Sequence, residues 1–339
     1  MCRARSRYSS FALSSVILSF FLLGDVKAAS PLLIAYGGHN ETMAPLWVGI
    51  AKGSFRKHGL DPQVLQTRSG QIMMATLATG GASLVWAAPS SALSATVGGM
   101  KLGCFAAGSS KMARELIVRK GIGSIEDLRG KTFGVQSIGG GGWLSMMVAL
   151  DGLGVEPDKY KLNLRVIGDT ATQTQALISG NTDAAILPYS FADIAKRAGA
   201  RSLADLGTVK ITYQATVFCY QKNSAIPFET IVGLTKGLIE ALVYIEDQSH
   251  KREVIEVLKK NLRLSREEDG EASYRVARQQ MPSLDVALNP DVWRLIQHIV
   301  ARLNPKVQEV DLDQLIMNNA VRSLEQSGFL PEMRKKFGQ

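Results

Sequence analysis

Short apolar runs and amphipathic stretches take turns along the first two thirds of the chain, punctuated by glycine and proline. Leu32–Tyr36 reads as a strand that ends at Gly37-Gly38. A helix follows over about Ala44–Lys52, with Pro45 in its first turn, where a missing N–H does no harm. Pro62–Thr67 is the next strand, Ser69-Gly70 precede a helix over Gln71–Thr79, Ser83–Ala87 is again a strand, and Pro89-Ser90-Ser91 start another helix. The order recurs downstream with strands at Thr132–Gln136, Leu162–Ile167 and Ala184–Leu187. Helices follow them at Trp143–Leu153, after the glycine-rich turn Ser137–Gly142, then at Thr172–Ser179 and Phe191–Ala198. Strand then helix with short turns predicts the α/β class, with parallel sheets covered on both faces. Two such sets predict two lobes, although no internal repeat is visible.

After Pro227 the period changes. Ile231, Leu234, Leu238, Leu242 and Ile245 fall at helical spacing and form one apolar stripe. Glu253–Leu262, Arg266–Gln280, Asp291–Leu303 and Leu312–Gln326 read as further helices. This C-terminal third is a helical layer with a packing role, and its Lys and Glu residues suit solvated helix faces.

The N-terminus says where the chain works. Arg3, Arg5 and Arg7 precede an apolar run, Phe11–Leu23, and Val26-Lys27-Ala28 puts small residues at the places of a cleavage site. That order predicts a secretory signal peptide over residues 1–28. The apolar run, about thirteen residues, is shorter than the roughly twenty of a spanning helix; a retained anchor is the alternative. Arg-Ala-Arg is not a twin-arginine pair, and Cys2 lies before the apolar run, where it is not a lipid-bearing cysteine.

Cleavage after Ala28 removes Arg3, Arg5, Arg7, Lys27 and Asp25, which takes the formal charge from +9 to +6. The surplus favours approach of an anion. It is spread along the chain, with no cluster of Lys and Arg interleaved with aromatics, so it is not a nucleic-acid surface. Cys104 and Cys219 remain after cleavage. Export permits a disulfide. Both lie in apolar, strand-like runs, Leu102–Ala107 and Thr216–Tyr220, where an unpaired buried thiol is the commoner outcome and the expectation here. The histidines (His39, His58, His250, His298) are too scattered for a metal site, and no cofactor is expected. A mature chain of about 310 residues is long enough for two cores.

Four segments carry a resemblance. Ala44-Pro45-Leu46-Trp47-Val48-Gly49-Ile50-Ala51-Lys52-Gly53, continuing to Asp61, resembles the opening of the nitrate/sulfonate/taurine-type solute-binding proteins of ABC transporters, a family that includes relatives of thiamine-pyrimidine synthases. Leu128–Val135 resembles that family's start of the second lobe, Gln175–Ala185 its "ALxxGxxDA" segment, and Pro227 through Ala241 its return to the first lobe. The resemblance implies a two-lobed periplasmic binding protein fold (type II-like) with a helical C-terminal layer. Lobe one would be residues 30–111 and 218–339 and lobe two residues 112–217, with the hinge at Lys111–Arg114 and Tyr213–Phe218. It also implies a periplasmic, monomeric, non-enzymatic binder that passes a small molecule to a permease in the inner membrane.

Physics gives an address for that molecule. In open α/β sheets ligands bind beyond the carboxyl ends of the strands. Those ends here are Gly37–Met43, Arg68–Gly70, Trp86–Ser91, Ser137–Trp143, Gly168–Ala171 and Pro188–Ser190. Several begin a helix, whose unpaired N–H groups favour an anion. The run Ser137-Ile138-Gly139-Gly140-Gly141-Gly142 lets backbone approach a carboxylate or sulfonate closely; the bland alternative is a flexible turn. Gly38, His39 and Asn40 on the first loop, Ser69 and Gly70 on the second, and Trp86, Ala88 and Ser90 on the third are further candidates. Ser90 is by default a helix cap, and the resemblance offers a ligand donor as the equal alternative. Trp143, Thr170 and Tyr189 are candidates from the second set, with core packing the alternative for Trp143; Arg68 and Lys111 are cations that either pair with an anion or face solvent.

Other chemistries find no support. Gly130-Lys131-Thr132 ends like a phosphate loop, but Ile125 stands where that motif needs Gly, and a strand follows. Leu144 replaces the last glycine of a dinucleotide fingerprint, and no Gly-x-Ser-x-Gly elbow exists. A secreted enzyme related to the pyrimidine synthases and a receptor presenting its ligand to a sensor are the competing readings.

Overall fold

Two five-stranded sheets carry the described part of the molecule, and each repeats the other's strand order. The computed structural model describes residues 32–209, 211 and 213–339; the expected signal peptide, 1–28, lies outside them. In chain order the elements begin β1 (Leu33–Tyr36), α1 (Ala44–Ala51), β2 (Gln63–Gln66), α2 (Gly70–Ala78), β3 (Leu84–Ala87), α3 (Pro89–Val97) and β4 (Leu102–Ala107). The second series is β5 (Arg114–Val118), β6 (Thr132–Val135), α4 (Gly141–Gly152), β7 (Asn163–Val166), α5 (Thr170–Ile178), β8 (Ala184–Pro188), α6 (Tyr189–Arg197) and β9 (Arg201–Asp205). The chain then returns through β10 (Val217–Gln221) to α7 (Phe228–Glu246), α8 (Lys251–Leu262), α9 (Glu267–Gln279), α10 (Pro290–Ala301), α11 (Leu312–Leu315), α12 (Asn319–Gln326) and α13 (Phe329–Phe337).

The first sheet runs β2-β1-β3-β10-β4 and the second β7-β6-β8-β5-β9. Both are mixed, not parallel as the strand–helix alternation predicts. β10 is antiparallel to β3 and β4, and β5 is antiparallel to β8 and β9. Each of these strands enters its sheet directly from the other sheet, without a crossover helix, and so runs in the opposite sense. The repeat that is invisible in the sequence is therefore plain in the topology: β1 corresponds to β6, α2 to α5, and α3 to α6.

Period-2 alternation divides the first sheet's side chains between two cores. Ile34, Tyr36, Leu84, Trp86, Phe105 and Phe218 face one, packed by α7, α8 and the C-terminal helices. Ala35, Val85, Ala87, Cys104, Val217 and Cys219 face the other, which continues into the second sheet through Leu116, Val118 and Ile186. Trp293, Ile296 and Ile299 of α10 belong to this shared core, so the helical layer reaches both sheets. The long helix expected over Leu312–Gln326 is broken, because Met317 N leaves the helical pattern to donate to Cys104 O at 2.8 Å.

Cys104 and Cys219 are bonded, against the expectation of free thiols. They face each other across β4 and β10 with Cα atoms 4.1 Å apart, a register that sequence spacing does not reveal. The passages between the sheets are joined to one another: Gly108 N donates to Thr216 O at 3.0 Å, and Ala215 N to Ser109 Oγ at 3.2 Å. Residues 280–289 brace both passages. Gln280 O accepts from Ser110 N at 2.8 Å and Lys111 N at 3.0 Å, and Gln214 Nε2 donates to Ala287 O at 2.8 Å.

Candidate ligand-binding cleft

The strand-end loops of the two sheets meet face to face. Gln136, just beyond β6, donates its Nε2 to Gly37 O at 2.8 Å and Arg68 O at 3.1 Å, both beyond strand ends of the first sheet. Gln71 Nε2 donates to Ile138 O at 2.7 Å in the reverse direction. Between them lies a cavity of about 50 Å³, room for a few waters or a compact polar group. Its walls are Gly37, Gly38, Asn40, Thr42, Met43, Gly70, Met73, Trp86, Ala88 and Ser91 from one side. Gln136, Ser137, Gly141, Gly142 and Ser145 form the other, and Arg114, Tyr213, Ala215 and Thr216 at the passages form the base.

Local sequence explains the shape. Ser69 caps α2 by accepting from Ile72 N at 3.3 Å, and Pro89 occupies the first turn of α3, so two helix N-termini point to the cavity. α4 starts at Gly141, earlier than expected at Trp143, which places the last two glycines in its first turn. A Cβ on Gly141 would come within 3.2 Å of Ala88 Cβ. One on Gly70 would collide with the Ser91 hydroxyl. Both glycines keep the space open.

The polar groups are held in place. Asn40 Oδ1 accepts from Thr42 N at 3.0 Å and Thr42 Oγ1 at 2.7 Å, which leaves the amide NH₂ as the available donor. The Tyr213 and Ser145 hydroxyls bond each other, and Ser145 Oγ donates to Gly141 O at 2.9 Å. Burial pushes the Tyr213 phenol up, so it stays neutral. Trp86 lies under the cavity with its ring centroid 4.5 Å from that of Phe218.

Arg114 is the charge of the site. It is 7% exposed, lines the cavity, and has no carboxylate within 4.0 Å among the described residues. Among the described residues, no Asp or Glu lines the cavity. A buried cation without a partner is unfavourable by several kcal/mol, roughly, unless an anion completes it.

Of the sequence candidates, Gly38, Asn40, Gly70, Trp86, Ala88, Ser137 and Gly141 line the cavity. The others do not. His39 turns to Gln66, with Nδ1 and Nε2 3.1 Å apart, and burial holds its imidazole below the usual range. Ser69 is spent as a cap, and Ser90 is buried beside the cavity with no partner for its hydroxyl among the described residues. Gly139 carries the left-handed turn (φ 77°) and Gly140 is the residue before α4, packed on Ser137. Trp143 is core, 1% exposed. Thr170 O accepts from Thr174 within α5, and Tyr189 donates to Asp205 at 2.5 Å. Arg68 and Lys111 are exposed. Arg114, Gln136, Ser145, Tyr213 and Thr216 were missing from the candidate set. The available signal for Arg114 was a cation two residues before the apolar run Leu116–Val118, at a passage expected only to bend.

Residues 40–242 match the family described as NMT1/THI5 like. YtlA of Bacillus subtilis (strain 168) is 25% identical over 319 residues, covering 90% of this chain and 94% of that protein. Among solved structures, the periplasmic aliphatic sulphonate binding protein SsuA of Escherichia coli superposes with a TM-score of 0.66 at 18% identity, covering 85% of this chain and 92% of that one. The periplasmic nitrate-binding protein NrtA of Synechocystis PCC 6803 gives 0.70 at 12% identity, covering 90% of each chain. The architecture is thus that of periplasmic binding proteins.

Proposed function

We propose that this chain, which belongs to the NMT1/THI5-like family, is the exported solute-binding component of an ABC importer. It captures a small organic anion between two lobes and delivers it unchanged to a permease in the membrane. The observation that carries this reading is Arg114: one buried guanidinium, no acid in the cavity, and helix N-termini on both sides. The sulphonate and nitrate ligands in the names of the two similar structures are both anions. The lobes are residues 30–111 with 218–339, and residues 112–217, hinged at the two passages and acting as a monomer in the periplasm.

The test uses the chain from Ala29 onward. Carboxylates, sulfonates, nitrate and neutral pyrimidines are screened by thermal shift, the best is titrated calorimetrically, and the bound molecule is recovered for mass spectrometry. An anion should stabilise the protein in proportion to the logarithm of its concentration and return chemically intact. A neutral ligand bound equally by wild type and Arg114→Gln would overturn the anion assignment, and an altered molecule would favour the enzyme reading.

A further inference from the structure

Because the sheets share one topology, each contact across the cleft has a counterpart. On one side the loop after β6 faces the N-terminus of α3; glycine stands there, and the cavity opens among Ala88, Ser91, Ser137 and Gly141. On the counterpart side the loop after β1 faces the N-terminus of α6, and the space is filled by Glu41. Its Oε1 accepts from Ser190 Oγ of α6 and from Ser273 Oγ of α9, the latter at 2.9 Å. The side chain is 0% exposed, and among the described residues Oε2 has no hydrogen-bond partner and no cation lies within 4.0 Å. The neighbouring residues Asn40 and Thr42 line the cavity, so the acid sits directly behind its wall.

We propose that Glu41 is a built-in closing residue, the protein's own acid seated at the counterpart of the ligand position, whose burial against Ser190 and Ser273 couples closure of the cleft to uptake of a proton. The inference rests on the two-lobed reading above. Ser190 belongs to the second sheet's half and Glu41 to the first, so the contact exists only when the halves meet. A dry carboxyl offered two hydroxyls, with one oxygen left bare, favours its neutral form. The groups around it agree in direction: burial pushes the Glu41 carboxyl up, while Ser190, its own backbone, Ser273 and the Arg114 charge pull it back only in part. The neighbouring charges of α6 and α9, Arg197 and Asp269, are consumed by each other at 2.6 Å. In an open cleft water reaches Glu41 and its affinity for protons is ordinary. The closed state therefore binds the proton more tightly, so closure gains as pH falls and is lost as pH rises through the raised value.

Small-angle scattering of the ligand-free mature protein, between about pH 4.5 and 8, tests this without a ligand. The radius of gyration of wild type should increase with pH. Glu41→Gln keeps the hydroxyl contacts without the charge and should stay compact across the range; Ser190→Ala, which removes one donor, should open at lower pH than wild type. Melting curves of each variant establish that it is folded. A wild-type radius that ignores pH, or a Glu41→Gln protein that keeps the wild-type profile, overturns the proposal. If the pH-dependent compaction holds while no anion binds, the ligand assignment alone is wrong.

Discussion

The side-chain amide of Gln136 is bonded to the carbonyl of Gly37 at 2.8 Å, and these two residues follow corresponding strands of the two sheets. The bond ties the halves directly over the cavity, and its second branch, to Arg68 O, adds a turn of the first sheet to the same knot. Gln136→Ala removes both bonds while leaving every cavity charge in place. Affinity for the identified anion should fall by about tenfold, the sum of two ordinary hydrogen bonds at about 0.5–1 kcal/mol each. Calorimetry on wild type and variant checks it, and the melting temperature without ligand should barely move.

Arg114→Gln should move stability and binding in opposite directions. Losing a charged hydrogen bond to the ligand should weaken affinity by roughly tenfold to a hundredfold. Removing an unpaired buried charge should leave the ligand-free protein as stable as before or more so. Thermal melts with and without ligand separate the two effects; a variant that is destabilised while binding normally would assign Arg114 to the scaffold.

Gly141→Asp places a carboxylate where the first turn of α4 meets Ala88. Binding of an anion should be abolished by lost volume and like-charge repulsion. Gly140→Asp should be milder, because that residue is not in the cavity wall. A titration in which the Gly140 variant is the weaker binder would contradict this geometry.

Reduction of Cys104–Cys219, or its replacement by two alanines, frees a segment with a sequence separation of 115. The unfolded chain then regains loop entropy, and stability should fall by roughly 2–5 kcal/mol. Urea unfolding with and without reductant measures it.

Much of the architecture was legible because local patterning and packing agree: Leu33–Tyr36, Gly70–Ala78 and Ala184–Pro188 fold where their periodicity puts them. What the pattern hid was direction and pairing. Nothing in Val217–Gln221 says that it lies antiparallel between β3 and β4, and hence nothing in Cys219 says that it meets Cys104. The site divides the same way. Gly70, Ala88 and Gly141 are strand-end residues and were readable as such. Arg114, Tyr213 and Thr216 reach the cavity from the passages, which local sequence marks only as connections. Trp143 misled because an aromatic beside a glycine run looks the same whether it faces a ligand or, as here, the core.

The disulfide has a consequence for the chain's connectivity. Cys104 stands on the last strand before the chain leaves the first sheet, and Cys219 on the strand by which it returns. The whole second sheet, with its helices, is thus a covalent ring hung from the first. A protease that nicks any exposed loop of that ring leaves two fragments still joined through sulfur, and the ring can unfold without its ends drifting apart. The bond closes the neck between the two sheets, so the second half cannot detach from the first even when both of its passages loosen.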